Sequence, residues 1–286
     1  MSIFNTQKFL TTTAGVTLTL GSLFAFGQGA LAESRPIDFG VTADKPTDPI
    51  CDGLGAASCS LQDLFDSITV GGPGINAVDD QTNYNYFTNT ASGGSLGSFI
   101  FEVAGFADDN EFGIYQYGNP LKKAVLFDGV NDWGDRTTVD FLFDGSISVS
   151  TKGLPLDYIG PTVDRFYTDF GNVFGFYLTN GAGQTFYSDD ALNPGDKAQA
   201  LIYQGDDATT LQLPGKAPGT FSDNEFIIAF EDLARYGVSD SDFNDLVVMF
   251  ESIEPVAVSE PGAIGGLGLV AGWFAMTRRR KTNKNS

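Results

Sequence analysis

The sequence contains no histidine among its 286 residues. Histidine is the commonest general base in enzymes and the commonest side-chain ligand of transition metals. A Ser-His-Asp triad and a histidine-based zinc site are therefore excluded. Pairs of carboxylates remain available, as in a glycosidase that uses two acidic side chains.

Basic residues are also scarce, with 16 lysines and arginines against 36 aspartates and glutamates, which gives a net charge of −20. The two ends hold six of the basic residues, so the stretch from residue 33 to residue 259 has ten basic and 35 acidic residues. Recognition of nucleic acid needs a basic face, and we therefore expect no nucleic-acid partner. An acidic body of this kind attracts cations instead.

The first 32 residues have the features of a secretory signal peptide. Lys8 precedes an apolar run over residues 14–26, and small residues follow up to Ala30-Leu31-Ala32. This order of a charged region, a short apolar region and an A-x-A site predicts cleavage after Ala32. A transmembrane anchor is the alternative, but the run is short and interrupted by Thr, Ser and Gly, which favours a signal peptide.

Only two cysteines are present, Cys51 and Cys59. In an exported chain an even pair of cysteines predicts a disulfide, which here would close a nine-residue loop. A metal site built from two cysteines without histidine is the weaker alternative. The surrounding residues 33–59 are polar and contain three prolines, so we expect an extended arm.

The C-terminal segment, residues 255–286, reads as a linker followed by a membrane helix. Residues 262–277 carry no charge, and Arg278, Arg279 and Arg280 follow them directly. Sixteen helical residues span ~24 Å against a bilayer core of ~30 Å, and snorkelling arginines can supply the difference. The basic cluster would stay in the cytoplasm, which leaves the acidic body outside. A buried core helix is the alternative.

The order Ser259-Glu260-Pro261, apolar segment and arginine cluster resembles the PEP-CTERM sorting signal, with Ser259 in place of the first proline. The resemblance implies that an exosortase, a membrane protease, recognises the tail and removes it after transient insertion in the inner membrane. It also implies export by a bacterium that makes extracellular polysaccharide. The mature chain would then lie at the cell surface or be secreted.

The central stretch, residues 60–254, reads as one β-rich domain. A single helix is predicted from Ser60 to Ile68, with Ser58 or Ser60 as its cap. Its apolar residues have the spacing i, i+3, i+4, i+7 on one helix face: Leu61, Leu64, Phe65 and Ile68. Ten strand-like runs follow: Ser98–Phe106, Glu111–Tyr117, Ala124–Phe127, Thr137–Phe143, Ser146–Ser150, Val173–Thr179, Thr185–Ser188, Ala198–Gln204, Glu225–Phe230 and Leu246–Ile253.

Asp, Asn and Gly separate these runs, and the pairs Asp128-Gly129 and Asp144-Gly145 predict hairpins. Short strands without alternating helices predict an all-β fold, namely an antiparallel β-sandwich of jelly-roll-like form.

Acidic and amide residues cluster near the end of this domain: Glu231, Asp232, Asp240, Asp242, Asn244 and Asp245. In an extended loop, side chains at i, i+2 and i+4 lie on one side, so those of residues 240, 242 and 244 would converge. Clustered like charges are unfavourable unless protons or a cation neutralise them. Calcium binds six to eight oxygens, and we predict a structural calcium site here. A solvated acidic turn is the alternative.

An EF-hand is a further interpretation of the same residues, because Asp240, Asp242, Asn244 and Glu251 have the spacing of EF-hand positions 1, 3, 5 and 12. Asp245 stands where that loop needs its turn glycine. The residues after it read as a strand and not as a loop leading into a helix. We therefore reject the EF-hand and expect the calcium site on a β-scaffold.

Residues 60–254 also resemble a β-domain of unknown function found in many PEP-CTERM proteins. Three stretches carry the resemblance, and the most specific is Phe230-Glu231-Asp232-Leu233 with Asp240-Ser241-Asp242-Phe243-Asn244-Asp245; the others are residues 79–115 and residues 174–188. The resemblance implies a fold and an extracellular location but no reaction. Lys197 stands where such domains often have histidine.

These observations favour a non-catalytic, calcium-stabilised module of the cell surface or extracellular matrix that associates with polysaccharide. Trp133 is the candidate residue for stacking on a sugar, with a buried core position as the alternative. A secreted, carboxylate-dependent glycosidase is the rival class. It is the weaker one, because no nucleophile motif, phosphate-binding loop or cofactor fingerprint is present.

Overall fold

The computed structural model describes the following residues: 33–37, 39, 60–92, 94–102, 109–131, 134–153, 163–235, 239 and 241–257. Several predicted features lie outside these residues and stay predictions. They are the signal peptide with Ala32, the Cys51–Cys59 disulfide, Trp133, Asp240, and the sorting tail with its membrane helix, Ser259, Glu260, Pro261, Arg278, Arg279 and Arg280.

The predicted helix is confirmed as α1, Leu61–Ile68. Ser60 caps it, because its hydroxyl oxygen accepts a hydrogen bond from the backbone N–H of Asp63 at 3.2 Å. The four apolar residues at helical spacing are all buried. Within the part of the chain described above, no helix is long and apolar enough to cross a membrane.

The rest of the described chain is mainly β-structure, and every strand pairing in it is antiparallel. The all-β prediction is therefore confirmed. The strands are β1 (Thr69–Gly71), β2 (Phe87–Asn89), β3 (Ser95–Glu102), β4 (Glu111–Gln116), β5 (Asn119–Phe127), β6 (Arg136–Phe141), β7 (Ile147–Lys152), β8 (Val163–Tyr167), β9 (Val173–Thr179), β10 (Thr185–Tyr187), β11 (Ala200–Gln204), β12 (Thr210–Leu211), β13 (Gly219–Thr220), β14 (Glu225–Phe230), β15 (Leu246–Glu251) and β16 (Ile253–Pro255). Two short 3-10 helices, Asp190–Leu192 and Pro194–Asp196, precede β11.

These strands form three sheets. The largest has seven strands in the order β11-β14-β15-β3-β6-β7-β8. The second has six strands in the order β16-β2-β9-β4-β5, with β10 paired to β9. The third is small and contains β1, β12 and β13 in the order β1-β12-β13.

The two large sheets share one apolar core between them. Phe176 of β9 packs against Phe250 of β15, with ring centroids 5.1 Å apart. Phe112 of β4 packs against Phe230 of β14 at 6.0 Å. Aromatic side chains bury large areas, and eleven of the 25 phenylalanines of the sequence are buried in this interior.

The outer face of the seven-stranded sheet is buried as well over strands β11, β14, β15 and β3. Alternate residues of β14 and β15, such as Ile227 and Val247, join a second cluster with α1 and the segment containing Ile37 and Phe39. The central strands are thus covered on both faces. This explains why β14 and β15 read as uninterrupted apolar runs and not as alternating ones.

The structure also departs from the sequence predictions in its turns and short strands. The Asp144-Gly145 turn does join the paired strands β6 and β7, as predicted. Asp128-Gly129 does not form a hairpin, because β5 and β6 belong to different sheets. The predicted run 246–253 ends at Glu251, and a separate strand starts at Ile253.

Besides β16, five strands were not predicted, and each lacks a strong apolar signal: β1, β2, β8, β12 and β13. Four of them have only two or three residues. β8 is longer but largely exposed. A strand of this kind has too few buried apolar positions for a periodic pattern to be visible.

Phe176→Ala should lower the free energy of unfolding by about 3–5 kcal/mol, because it opens a cavity in the core between the large sheets. Phe176 contacts four other rings there: Phe87, Phe112, Phe174 and Phe250. Phe143→Ala is the matched control, since Phe143 is fully exposed, and it should change stability by less than about 0.5 kcal/mol. Urea unfolding of both variants measures the difference, and equal stabilities would contradict the assignment of the core.

Candidate functional site

The acidic loop, residues 231–245, connects β14 to β15 at one end of the seven-stranded sheet. The last pair in the ladder between these strands is Phe230 with Leu246. Glu231 and Asp245 therefore leave the sheet from adjacent backbone positions. Two acidic side chains are brought together in this way by the strand pairing itself.

Three carboxylates of the loop converge in the interior. Glu231, Asp242 and Asp245 are 0%, 5% and 7% exposed. One carboxylate oxygen from each lies within 4.8 Å of the others. Asp232 and Asn244 are buried beside them. The structure thus assembles three of the six predicted ligands into one compact group of oxygens.

The loop reaches this arrangement by a different backbone path from the extended one that we expected. Ser241 and Phe243 have φ angles of 60° and 55°, in the left-handed region that residues other than glycine rarely adopt. The expectation of an extended loop is therefore wrong at these residues. Asn244 donates its amide N–H to Asp242 Oδ2 at 2.7 Å, so this N–H donor supports the Asp242 carboxylate.

Phe243 explains why such a polar loop turns inward. Its side chain is fully buried, and its ring packs edge-on against Phe39 with centroids 5.4 Å apart. The Arg235 guanidinium lies 4.9 Å from the centre of the same ring. Burial of one aromatic side chain is favourable by roughly 1.5–3 kcal/mol, and it carries the neighbouring Asp242 and Asn244 into the interior with it.

Hydrogen bonds within the loop and from other parts of the chain hold it in place. The Asp232 N–H donates to Asp245 Oδ2 at 2.8 Å, and the Asn180 side chain donates to the Asp232 carbonyl at 2.7 Å. The buried Gln199 accepts from the Arg235 N–H at 2.9 Å. Sequence reasoning missed Asn180 and Gln199, because their contacts with the loop cross at least 32 residues and leave no local pattern.

The electrostatics of the group are those of crowded like charges. Burial raises the pKa of Asp245 well above its ordinary value, and the nearby charges of Glu231, Asp232 and Asp242 raise it further. The hydrogen bond from the Asp232 N–H works in the opposite direction but does not offset them. A proton or a cation is therefore needed for this group to be stable in the folded protein.

Glu251 does not belong to the group. It ends β15, about 20 Å along the strand from Asp245 at ~3.3 Å per residue, and its carboxylate pairs with Lys216 Nζ at 3.1 Å. The residues after Asp245 are a strand, as predicted, so the rejection of an EF-hand is confirmed.

Comparison with known proteins gives a match to a family whose function is unknown. Residues 168–252 match a family model described as a domain of unknown function, DUF4114. The matched segment extends from just before β9 to just after β15 and includes the whole acidic loop. A search of curated proteins and a search of solved structures found no match.

Asp245→Asn should raise the free energy of unfolding by about 1–3 kcal/mol at neutral pH in a chelator, because the neutral amide neither repels the other carboxylates nor has to take up a proton on folding. The amide oxygen can still accept from the Asp232 N–H. Urea unfolding in EGTA gives the measurement. Lower stability of the variant would contradict the conclusion that the buried carboxylates of the loop repel one another.

Asp206→Asn is the matched control for this experiment. Burial acts to raise the pKa of Asp206, but N–H groups of Thr209 and Ala208 donate to its carboxylate and hold that pKa below its ordinary value. Its charge is therefore favourable in the folded state. The same substitution here should leave stability unchanged or lower it.

Proposed function

We propose that this chain is an exported, non-catalytic module of the cell surface or extracellular matrix whose acidic loop binds a structural calcium ion. The observation that carries the calcium assignment is the set of three buried carboxylates within 4.8 Å of one another. Glu231, Asp242 and Asp245 would hold the ion. The neighbouring Asp232, backbone carbonyls and water would complete its six to eight oxygens.

The spacing of the group fits a single ion. Oxygens that bind one calcium at ~2.3–2.6 Å lie no more than ~5 Å apart, and the three carboxylates meet this limit. Protons are the other means of neutralisation. Calcium is the better one outside the cell, because it is plentiful there and neutralises two charges at once.

Burial favours an ion over a sugar as the ligand of this site. Carboxylates of retaining glycosidases lie ~5–5.5 Å apart, which is close to the spacing here. Side chains that are 0–7% exposed offer almost no surface to a sugar ring, whereas an ion needs none. The glycosidase remains the alternative function, and release of reducing sugar from polysaccharide by the purified protein would support it.

The same proposal includes the arrangement of the two large sheets as a jelly-roll-like sandwich. Two points support it: the shared core joins the inner faces of the two large sheets, and the chain crosses repeatedly between them. Export, exosortase processing and the final location at the surface rest on the terminal sequence features. Cleavage after Ala32 and removal of the tail beyond Ser259 are both part of the proposal.

An exposed cleft supports the association with polysaccharide. It has a volume of about 410 Å³ and is lined by apolar and amide side chains: Asn89, Phe141, Leu142, Phe143 and Asn172. Phe143 is fully exposed at the turn between β6 and β7. An exposed ring beside amide groups offers a sugar both stacking and hydrogen bonding.

Calcium should raise the melting temperature of the exported protein. At a hundred times an expected Kd of ~10⁻⁴ M the gain is ~2.7 kcal/mol, or about 5–10 °C for a chain of this size. Asp242→Ala should abolish the response, and Asp164→Ala, an exposed site on β8, should keep it. Identical melting curves in calcium and in chelator would end the calcium assignment.

Phe143→Ala should weaken binding to the polysaccharide of the producing bacterium about tenfold, which corresponds to ~1.4 kcal/mol. Leu121→Ala is the control, since Leu121 is 87% exposed and lies on another edge. Trp133→Ala is assayed in parallel on the same glycan surface. A loss of binding in Phe143→Ala assigns the sugar contact to the cleft, and a loss in Trp133→Ala assigns it to the tryptophan. No binding by the unaltered protein would refute the association.

A further inference from the structure

The first described residues of the chain, 33–37, are bound to the folded domain. The backbone N–H of Glu33 donates to Asp190 Oδ2 at 2.9 Å. The acceptor lies 157 residues further along, at the start of the 3-10 helix before β11. The Asp190 side chain is only 1% exposed. A backbone nitrogen is thus directed at a buried carboxylate.

Arg35 completes the binding site for this nitrogen. Its two terminal nitrogens contact the two oxygens of Asp190 at 2.9 Å and 3.1 Å, and its side chain is 6% exposed. The same guanidinium donates to the Glu33 carbonyl at 2.7 Å. Asp190 therefore has a fixed orientation in which Oδ2 faces the Glu33 nitrogen.

The side chain of Glu33 fixes the same residue from the other side. Its two oxygens pair with Lys197 Nζ at 3.1 Å and with Arg235 Nη1 at 2.9 Å, and one accepts the Ala198 N–H at 3.0 Å. Arg235 is the residue that also covers the Phe243 ring of the acidic loop. Both ends of Glu33 are therefore held by the domain.

Further along the segment, Ile37 and Phe39 are buried in the cluster that covers the seven-stranded sheet. Gln81 bonds both to the Ile37 N–H and to its carbonyl, at 2.8 Å and 2.9 Å. These contacts fix the position of the segment that contains Ile37 and Phe39 on the domain. Glu33 is thus only four positions before Ile37, which the domain holds on both of its backbone polar groups.

The proposed processing site lies immediately before this residue. Hydrolysis of the bond between Ala32 and Glu33 places the water oxygen on the Ala32 carboxylate, and the Glu33 nitrogen gains a proton to become an amine. An α-amine with a pKa of ~7.7–8.0 takes up a further proton at neutral pH. We propose that the resulting ammonium of Glu33 binds the buried Asp190–Arg35 site, so that removal of the signal peptide completes the fold with a new ion pair.

This inference rests on the proposed export, because only cleavage after Ala32 produces that ammonium. Before cleavage the neutral amide N–H donates a single hydrogen bond to the charged Asp190 carboxylate. The ammonium has three N–H groups and a full positive charge, so cleavage adds an ion pair to that hydrogen bond. Among the described residues, the other charged groups near the site include Asp189, which accepts the Tyr86 hydroxyl at 2.6 Å, and the Glu33 carboxylate, which pairs with both Lys197 and Arg235. The titratable Tyr203 also interacts with Arg35, and burial raises the pKa of Tyr203 well above its ordinary value.

The test uses the full-length gene in an exporting host, with the N-terminus of the purified protein determined by sequencing and mass. A first residue other than Glu33 would refute the proposed processing, whatever the properties of the Asp190 site. When the first residue is Glu33, a Gly-Ser insertion between Ala32 and Glu33 gives the comparison. The inserted variant keeps an ammonium but moves it away from Asp190, and it should melt about 2–6 °C lower at pH 7.

Two readouts distinguish ion pairing from a merely structural disturbance. Docking raises the pKa of the amine, so its stabilisation is complete below ~pH 8 and is lost as the pH rises past the raised pKa. The difference in melting temperature between the processed protein and the inserted variant should then disappear at high pH. In the Asp190→Asn background, the same difference should be absent at neutral pH. A difference that is the same at every pH would overturn the proposal.

The amine itself provides a measurement that does not depend on Asp190→Asn folding. Reaction with acetic anhydride near pH 7.5 should be about tenfold slower at Glu33 than at the free N-terminus of the inserted variant. Equal rates in the two proteins would show that the terminal ammonium is not bound at Asp190.

Discussion

The structure depends on one electrostatic constraint: like charges that are brought together in the interior must be neutralised. Strand pairing puts Glu231 and Asp245 side by side, and the loop returns Asp242 to them. No single one of these residues is unusual in the sequence. Their joint burial is unusual. Without a counterion, the free-energy cost of burying several carboxylates exceeds the stabilisation that the contacts of one loop can provide.

The remainder of the fold explains how this cost can be met. Strands β14 and β15 of the seven-stranded sheet are covered on both faces, so the two strands that the acidic loop connects are held in place on either side of it. Phe243 then anchors the middle of the loop, and its ring contacts Phe39 and Arg235. Through Arg235 the acidic loop is joined to the N-terminal segment at Glu33. The two proposed charge-dependent sites therefore share one supporting residue.

Much of the fold follows from local patterns. The helix at Leu61–Ile68 and the strand Val173–Thr179 carry clear periodic or continuous apolar signals, and both form as predicted. The acidic region could be found from charge density between two apolar runs. Which carboxylates meet could not, since it depends on the left-handed residues Ser241 and Phe243 and on partners such as Gln199 that are distant in sequence. The short strands β1, β2, β12 and β13 were missed for a related reason, because neighbours and not periodicity determine them.

The most direct test of the calcium assignment is a crystal structure of the exported protein grown in calcium, with anomalous scattering to identify the ion. We predict one anomalous peak among the three carboxylates, ~2.3–2.6 Å from an oxygen of each of Glu231, Asp242 and Asp245. Side chains that turn away from a common centre, with no peak between them, would contradict the account.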